Sequence, residues 1–222
     1  MASGTGSQHS VAEAGSPPVY HHIDPINAYH ASKLGMWLFL ATEILLFSVL
    51  FASFALYNWM YFEDFHHAAS KLDWRLGGLN TAILLFSSYT AAVAVYKAQI
   101  SDNKGVVVNF SISFLCGLVF LVIKYFEYSA KYAHGYFPGT DLWSSPDFSE
   151  HYKNYFGLYY VMTGLHALHV VIGMAVLSWV ILLATKRRFS ERYYTPVELA
   201  ALYWHLVDLI WIFLFPILYL ID

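Results

Sequence analysis

Two imidazoles, His166 and His169, stand three residues apart inside the apolar stretch YYVMTGLHALHVVIGM, residues 159–174. Histidine in an apolar helix is a candidate heme or metal ligand. The spacing argues against a shared site, because residues three apart project from the same side of a helix. Axial ligation of one heme needs histidines on opposite faces of the ring, usually from different helices. Thr163 repeats the spacing, and Gly157, Gly164 and Gly173 permit close helix approach. The stretch therefore reads as a buried hydrogen-bonded seam rather than a redox site.

Three further segments carry ionisable groups where none is expected. Glu43 lies in WLFLATEILLFS, ten residues beyond Lys33, or about 15 Å along an ideal helix. A carboxyl at that depth must turn toward protein, a lipid headgroup or trapped water. It reads as a structural carboxyl, with proton handling as the alternative. Lys124 and Glu127 in KYFEY share a helix face and read as an internal ion pair with a snorkelling lysine; a histidine of the fourth span is the other partner open to Glu127. His205 and Asp208 in YWHLVDLIW have the spacing of an orienting His–Asp pair, with no hydroxyl nucleophile motif beside it. A polar cluster among the first, fourth and fifth spans is expected.

The elements that must hold these groups follow from composition. Of 222 residues, 58% are hydrophobic and 12% charged, far more apolar than a soluble core of this size requires. Eighteen Tyr, seventeen Phe and seven Trp suit a protein anchored at membrane interfaces. No basic patch is present, which argues against nucleic-acid binding. Cys116 is the single cysteine, so no intrachain disulfide forms. Five apolar segments, roughly 33–60, 76–98, 105–131, 155–185 and 197–221, are each long enough to cross a bilayer as a helix. The expected fold is an all-α membrane bundle of five transmembrane helices. Residues 1–32 form a polar, flexible tail and lead-in, and residues 33–222 form the membrane domain. The histidines of the tail region, His9, His21, His22 and His30, read as surface residues rather than a metal site. In the second span Asn80, Thr81, Ser87, Ser88 and Thr90 suit interhelical packing.

Charge placement orients the bundle. The fourth connector holds Lys186, Arg187, Arg188 and Arg192, and the second holds Lys97 and Lys104. Both are expected on the cytoplasmic side, which puts the N-terminus inside and the C-terminus outside. The third connector, about 132–154, carries Gly135, Pro138, Gly139 and Pro146 for turns, with Trp143 at the interface.

Five motifs in order carry a resemblance: LGMWLFLATEILLF at 34–47, GGLNTAILLFSS at 77–88, FLVIKYFEY at 120–128, TGLHALHVVIG at 163–173 and YWHLVDLIWIFLF at 203–215. The chain resembles subunit III of the heme-copper respiratory oxidases, in a five-span bacterial form that lacks the first two helices of the seven-span members. The resemblance implies a non-catalytic accessory subunit of a proton-pumping terminal oxidase that reduces oxygen to water. It implies no catalytic, metal or cofactor-binding residue in this chain, with heme and copper in partner subunits. It further implies direct contact with subunit I, association with subunit II and other respiratory subunits, contact with membrane lipids including bound phospholipid, and residence in the bacterial inner membrane. Glu43 matches the family's intramembrane carboxylate, associated with carbodiimide labelling and proton uptake. Lys124, Glu127, His166, His169, His205 and Asp208 match structural or lipid-associated polar positions. A quinol oxidase or a nitric oxide reductase system is the alternative setting. A b-type cytochrome ligated by the intramembrane histidines, or a small transporter using Glu43 with His205 and Asp208, is the alternative from another class; no paired broken helices point to a transporter.

Overall fold

The structure is a computed structural model and describes residues 25–145 and 149–220. In chain order the helices are α1 (Pro25–Met60), α2 (Phe62–Ala69), α3 (Trp74–Gln99), α4 (Asn103–Ala133), α5 (Asp141–Ser144), α6 (Glu150–Thr185) and α7 (Thr195–Tyr219). Among the described residues there is no strand, only an isolated bridge between Ser190 and Tyr193. Lipid tails offer no hydrogen bonds, so a long apolar segment satisfies its backbone by coiling into a helix. Five helices, α1, α3, α4, α6 and α7, are long and apolar enough to span a membrane.

The expected spans lie within these helices, apart from the last two residues of the fifth: 220 follows the end of α7 and 221 lies outside the described residues; α1 and α6 begin earlier than the apolar runs suggest. Residues 25–32 are already the first two turns of α1. With 36 residues each, α1 and α6 are about 54 Å long, well beyond the ~30 Å of a hydrocarbon core. The surplus packs beside α2, where Phe54, Phe65 and Tyr155 meet edge to face at 5.2–5.8 Å. Neither α2 nor the short α5 is signalled by apolar length, since both lie in connectors. Of the tail histidines, His9, His21 and His22 fall outside the described residues, and His30 is exposed beside the Tyr29 ring.

Helix ends follow local chemistry. Asp73, Asp102 and Ser149 cap α3, α4 and α6 by accepting hydrogen bonds from Arg75, Gly105 and His151 amides at 2.9, 3.0 and 3.3 Å. The Gly105 amide, seconded by Lys97, holds the Asp102 carboxyl below its ordinary value of 3.8. Gly135 closes α4 with φ 79°, a left-handed conformation that glycine adopts without strain.

Four helices form a closed ring in which α3 packs on α4 and α7, and α6 packs on α4 and α7. Trp204 of α7 sits inside it, fully buried. A side-chain carbon added at Gly117 of α4 or Gly173 of α6 would lie 2.8 Å from its indole. The two glycines therefore form the walls of its slot, and Ser87 of α3 accepts its Nε1–H at 2.8 Å. Ser87, Thr90 and Ser113 tie α3 to α4 through hydroxyl bonds, including Thr90 Oγ1 to Ser113 Oγ at 2.8 Å. By contrast, Gly157 and Gly164 border open space rather than a close helix contact.

Outside this ring lies α1, touching α2, α6 and α7. Among its residues 27–60 only Leu40, Phe47 and Phe54 are buried, a seven-residue repeat that keeps one narrow seam on the body.

Candidate functional site

Glu43 and His169 meet across the α1–α6 seam. His169 Nε2 lies 2.8 Å from Glu43 Oε2, and its Nδ1 lies 2.7 Å from the Leu165 carbonyl oxygen. A carbonyl only accepts, so Nδ1 carries a hydrogen. The contact with Glu43 then holds one further proton, either on the carboxyl or on Nε2. The site is thus a hydrogen bond with a single proton shared between a carboxyl and an imidazole. Phe47 packs edge to face on the His169 ring at 5.3 Å, and Tyr203 donates to the His169 carbonyl at 3.3 Å.

One helical turn below this pair, toward the start of α1, an open groove of about 840 Å³ separates α1 from α6 and α7. Its walls include Met36, Phe39, Val176, Trp179 and Tyr203, and Arg192 stands at its connector end. There Glu198 of α7 fastens α1, pairing with Lys33 at 2.8 Å and accepting from Tyr29 at 3.2 Å. The groove therefore runs from a charged rim to the neighbourhood of the Glu43–His169 hydrogen bond.

A second polar site is sealed between α4, α6 and α7. Glu127 receives Lys124 at 3.0 Å, Lys131 at 3.2 Å, Tyr159 at 2.8 Å and Tyr219 at 2.5 Å. All three charged residues are buried. The internal ion pair expected for Lys124 is present, but the lysine does not snorkel. Its ammonium turns inward, donating to Tyr219 and lying 4.6 Å over the Trp211 ring, because three aromatic residues and a carboxylate surround it there. Among the described residues no histidine bonds to Glu127. Lys131, four residues on and on the same face, follows the same helical spacing; the tyrosine partners come from other helices.

His166 departs from its expected hydrogen-bonded role. Both ring nitrogens are buried without a partner among the described residues, and the ring lies between Phe120 and Trp211 at 5.4 and 5.3 Å. It is an aromatic packing element. Thr163 instead bonds to Tyr128 and to the Tyr159 carbonyl. The expected His205–Asp208 pair does not form either. His205 Nδ1 lies 2.6 Å from Ser88 Oγ on α3, while both Asp208 oxygens are buried without a hydrogen bond among the described residues. The rotation of α7 explains the split: it buries Asp208 and leaves His205 at the α3–α7 surface. The anticipated single cluster is therefore two separate sites, Glu43 with His169 and Ser88 with His205.

Among the described residues no three His, Cys, Asp or Glu side chains converge as a metal-ion site. Residues 19–222 match the family described as cytochrome c oxidase subunit III. The chain belongs to that family. Relatives include a probable quinol oxidase subunit 3 of Staphylococcus aureus (strain USA300), 31% identical over 197 residues, covering 86% of this chain and 89% of that protein. Another is cytochrome c oxidase subunit 3 of Corynebacterium diphtheriae, 31% identical over 206 residues, covering 89% and 91%. The chain is thus an accessory subunit III of the heme-copper oxidase family, and a multi-pass membrane protein. Subunits of this family do not themselves carry the redox centres.

Proposed function

We propose that this subunit stabilises the oxygen-reducing subunit I of a proton-pumping oxidase in a bacterial cytoplasmic membrane and supports its proton uptake through Glu43. The carrying observation is the Glu43–His169 hydrogen bond, which holds one exchangeable proton at the head of a groove with a charged rim. Heme and copper belong to the partner subunits in this reading, with subunit II completing the complex. The charged connectors at Lys97, Lys104 and Lys186–Arg192 face the cytoplasm, so the groove opens on the side from which protons are taken. Its apolar walls and charged rim, with Arg192 at the connector end, also suit a phospholipid.

A quinol oxidase is the second reading. Relatives named for quinol and for cytochrome c oxidases are equally similar, at 31% identity each, which supports a reading in which the electron-entry site lies in other subunits.

Glu43→Gln tests the role. Gln keeps a hydrogen bond to His169 and loses the exchangeable carboxyl proton. Assembly with subunit I is expected to survive, while proton uptake slows or the complex inactivates sooner during turnover. Unchanged uptake and unchanged inactivation lifetime in the assembled oxidase would count against Glu43.

A further inference from the structure

His205 makes a demand that this chain does not meet. It stands ten residues into α7, about 15 Å along the helix. Its partner Ser88 stands eleven residues from the end of α3, about 16 Å in. Both are near the middle of a hydrocarbon layer ~30 Å thick, beyond the reach of headgroups. Ser88 engages Nδ1 at 2.6 Å. Whichever tautomer that bond selects, Nε2 is left as a lone donor or acceptor. It has no partner among the described residues, and it is absent from the enclosed polar atoms. Three residues on, Asp208 is buried.

The surface around His205 has the form of a helix seat. Leu85 and Ala92 flank Ser88 at three and four residues, and Leu209 and Ile212 follow His205 at four and seven. All four are exposed. Comparable stretches of α1 and α4 make no such demand. On α1, Thr42, Ser48 and Ser53 bond back to carbonyls of their own helix at 2.6–2.8 Å. On α4, the outward Leu115, Leu118, Val119 and Val122 are apolar. Acyl chains satisfy those faces but cannot satisfy an imidazole nitrogen.

We propose that the α3–α7 stripe centred on His205 is where another oxidase subunit lays a transmembrane helix, presenting a side-chain or backbone polar group to Nε2 at mid-membrane depth. This rests on the reading of the chain as a subunit of a larger oxidase. A photoreactive benzoylphenylalanine placed at Leu85 or Leu209 in the assembled complex tests it, with Leu45 of α1 and Leu118 of α4 as comparison sites. Polypeptide adducts are expected from Leu85 and Leu209. Lipid adducts alone from both positions, in an intact complex, overturn the proposal. His205→Phe is expected to lower recovery of the chain with the complex about tenfold, the equivalent of ~1.4 kcal/mol, and His205→Gln to restore most of it. Equal recovery of His205→Phe and wild type would also overturn it. Thermal unfolding of the isolated variants in detergent separates lost docking from lost folding, and a loss of recovery matched by a loss of folding counts against docking. A wild-type chain that purifies with no oxidase subunit overturns the subunit reading itself, and the docking face falls with it.

Discussion

The ring helix α7 and the outer helix α1 are both long, apolar and able to span a bilayer, yet they are held in different ways. The body closes around α7 with large rings set against glycines: Trp204 in the slot of Gly117 and Gly173, and Phe215 against Gly77. Its polar groups are mostly committed, as in the Glu127 network and the Ser87–Thr90–Ser113 hydroxyls. The outer helix has one seam of Leu40, Phe47 and Phe54, polar fastenings at Lys33 and Glu43, and an aromatic clasp at its far end. Hydrophobicity does not separate the two, because lipid tails cover leucine as well as protein does. Shape complementarity and hydrogen bonds decide which apolar helix is enclosed. A loosely held helix also leaves room for a groove, one helical turn from the proton shared by Glu43 and His169.

Breaking the body should cost most. Glu127→Leu leaves Lys124 and Lys131 buried without their carboxylate and is expected to destabilise by about 3–5 kcal/mol. Adding Lys124→Met and Lys131→Met should recover much of that loss, because a well-packed apolar replacement avoids the stranded charge. Unfolding in detergent measures both variants, and a triple variant no better than Glu127→Leu would contradict the account. Gly173→Leu should cost about 1–3 kcal/mol by driving the Trp204 indole from its slot. The same change at Gly157 or Gly164, which border open space, should be far milder, and equal melting temperatures would remove the distinction.

On the outer helix the effects shrink. Lys33→Ala removes a half-exposed bridge to Glu198 and should cost about 0.2–1 kcal/mol. Its clearer signature is faster amide exchange in the first turns of α1, with no change in α7. The smallest effect belongs to Asp102, outside the spans. Its folded value is depressed, so its capping contribution is complete at neutral pH. It is lost as pH falls below the ordinary 3.8 and through the lower folded value. Nuclear magnetic resonance titration should place its midpoint below 3.8, and Asp102→Asn should abolish that pH dependence.

The sequence alone determined the number of long helices, because water and lipid sort an apolar run of twenty or more residues without reference to its neighbours. It also drew attention to the polar residues inside those runs, since an ionisable group there is costly wherever it points. Spacing made the Lys124–Glu127 contact legible, for residues three apart meet on any helix. The same rule misled at His205 and Asp208, where three-residue spacing permits a pair but does not form one. Tertiary structure decided the partners. Rotation of each helix placed Glu43 against His169 and His205 against Ser88, and it seated His166 between Phe120 and Trp211. It also chose Gly117 and Gly173 for the Trp204 slot while leaving Gly157 and Gly164 open. Those choices depend on which faces of different helices meet, a matter of shape that no single helix contains.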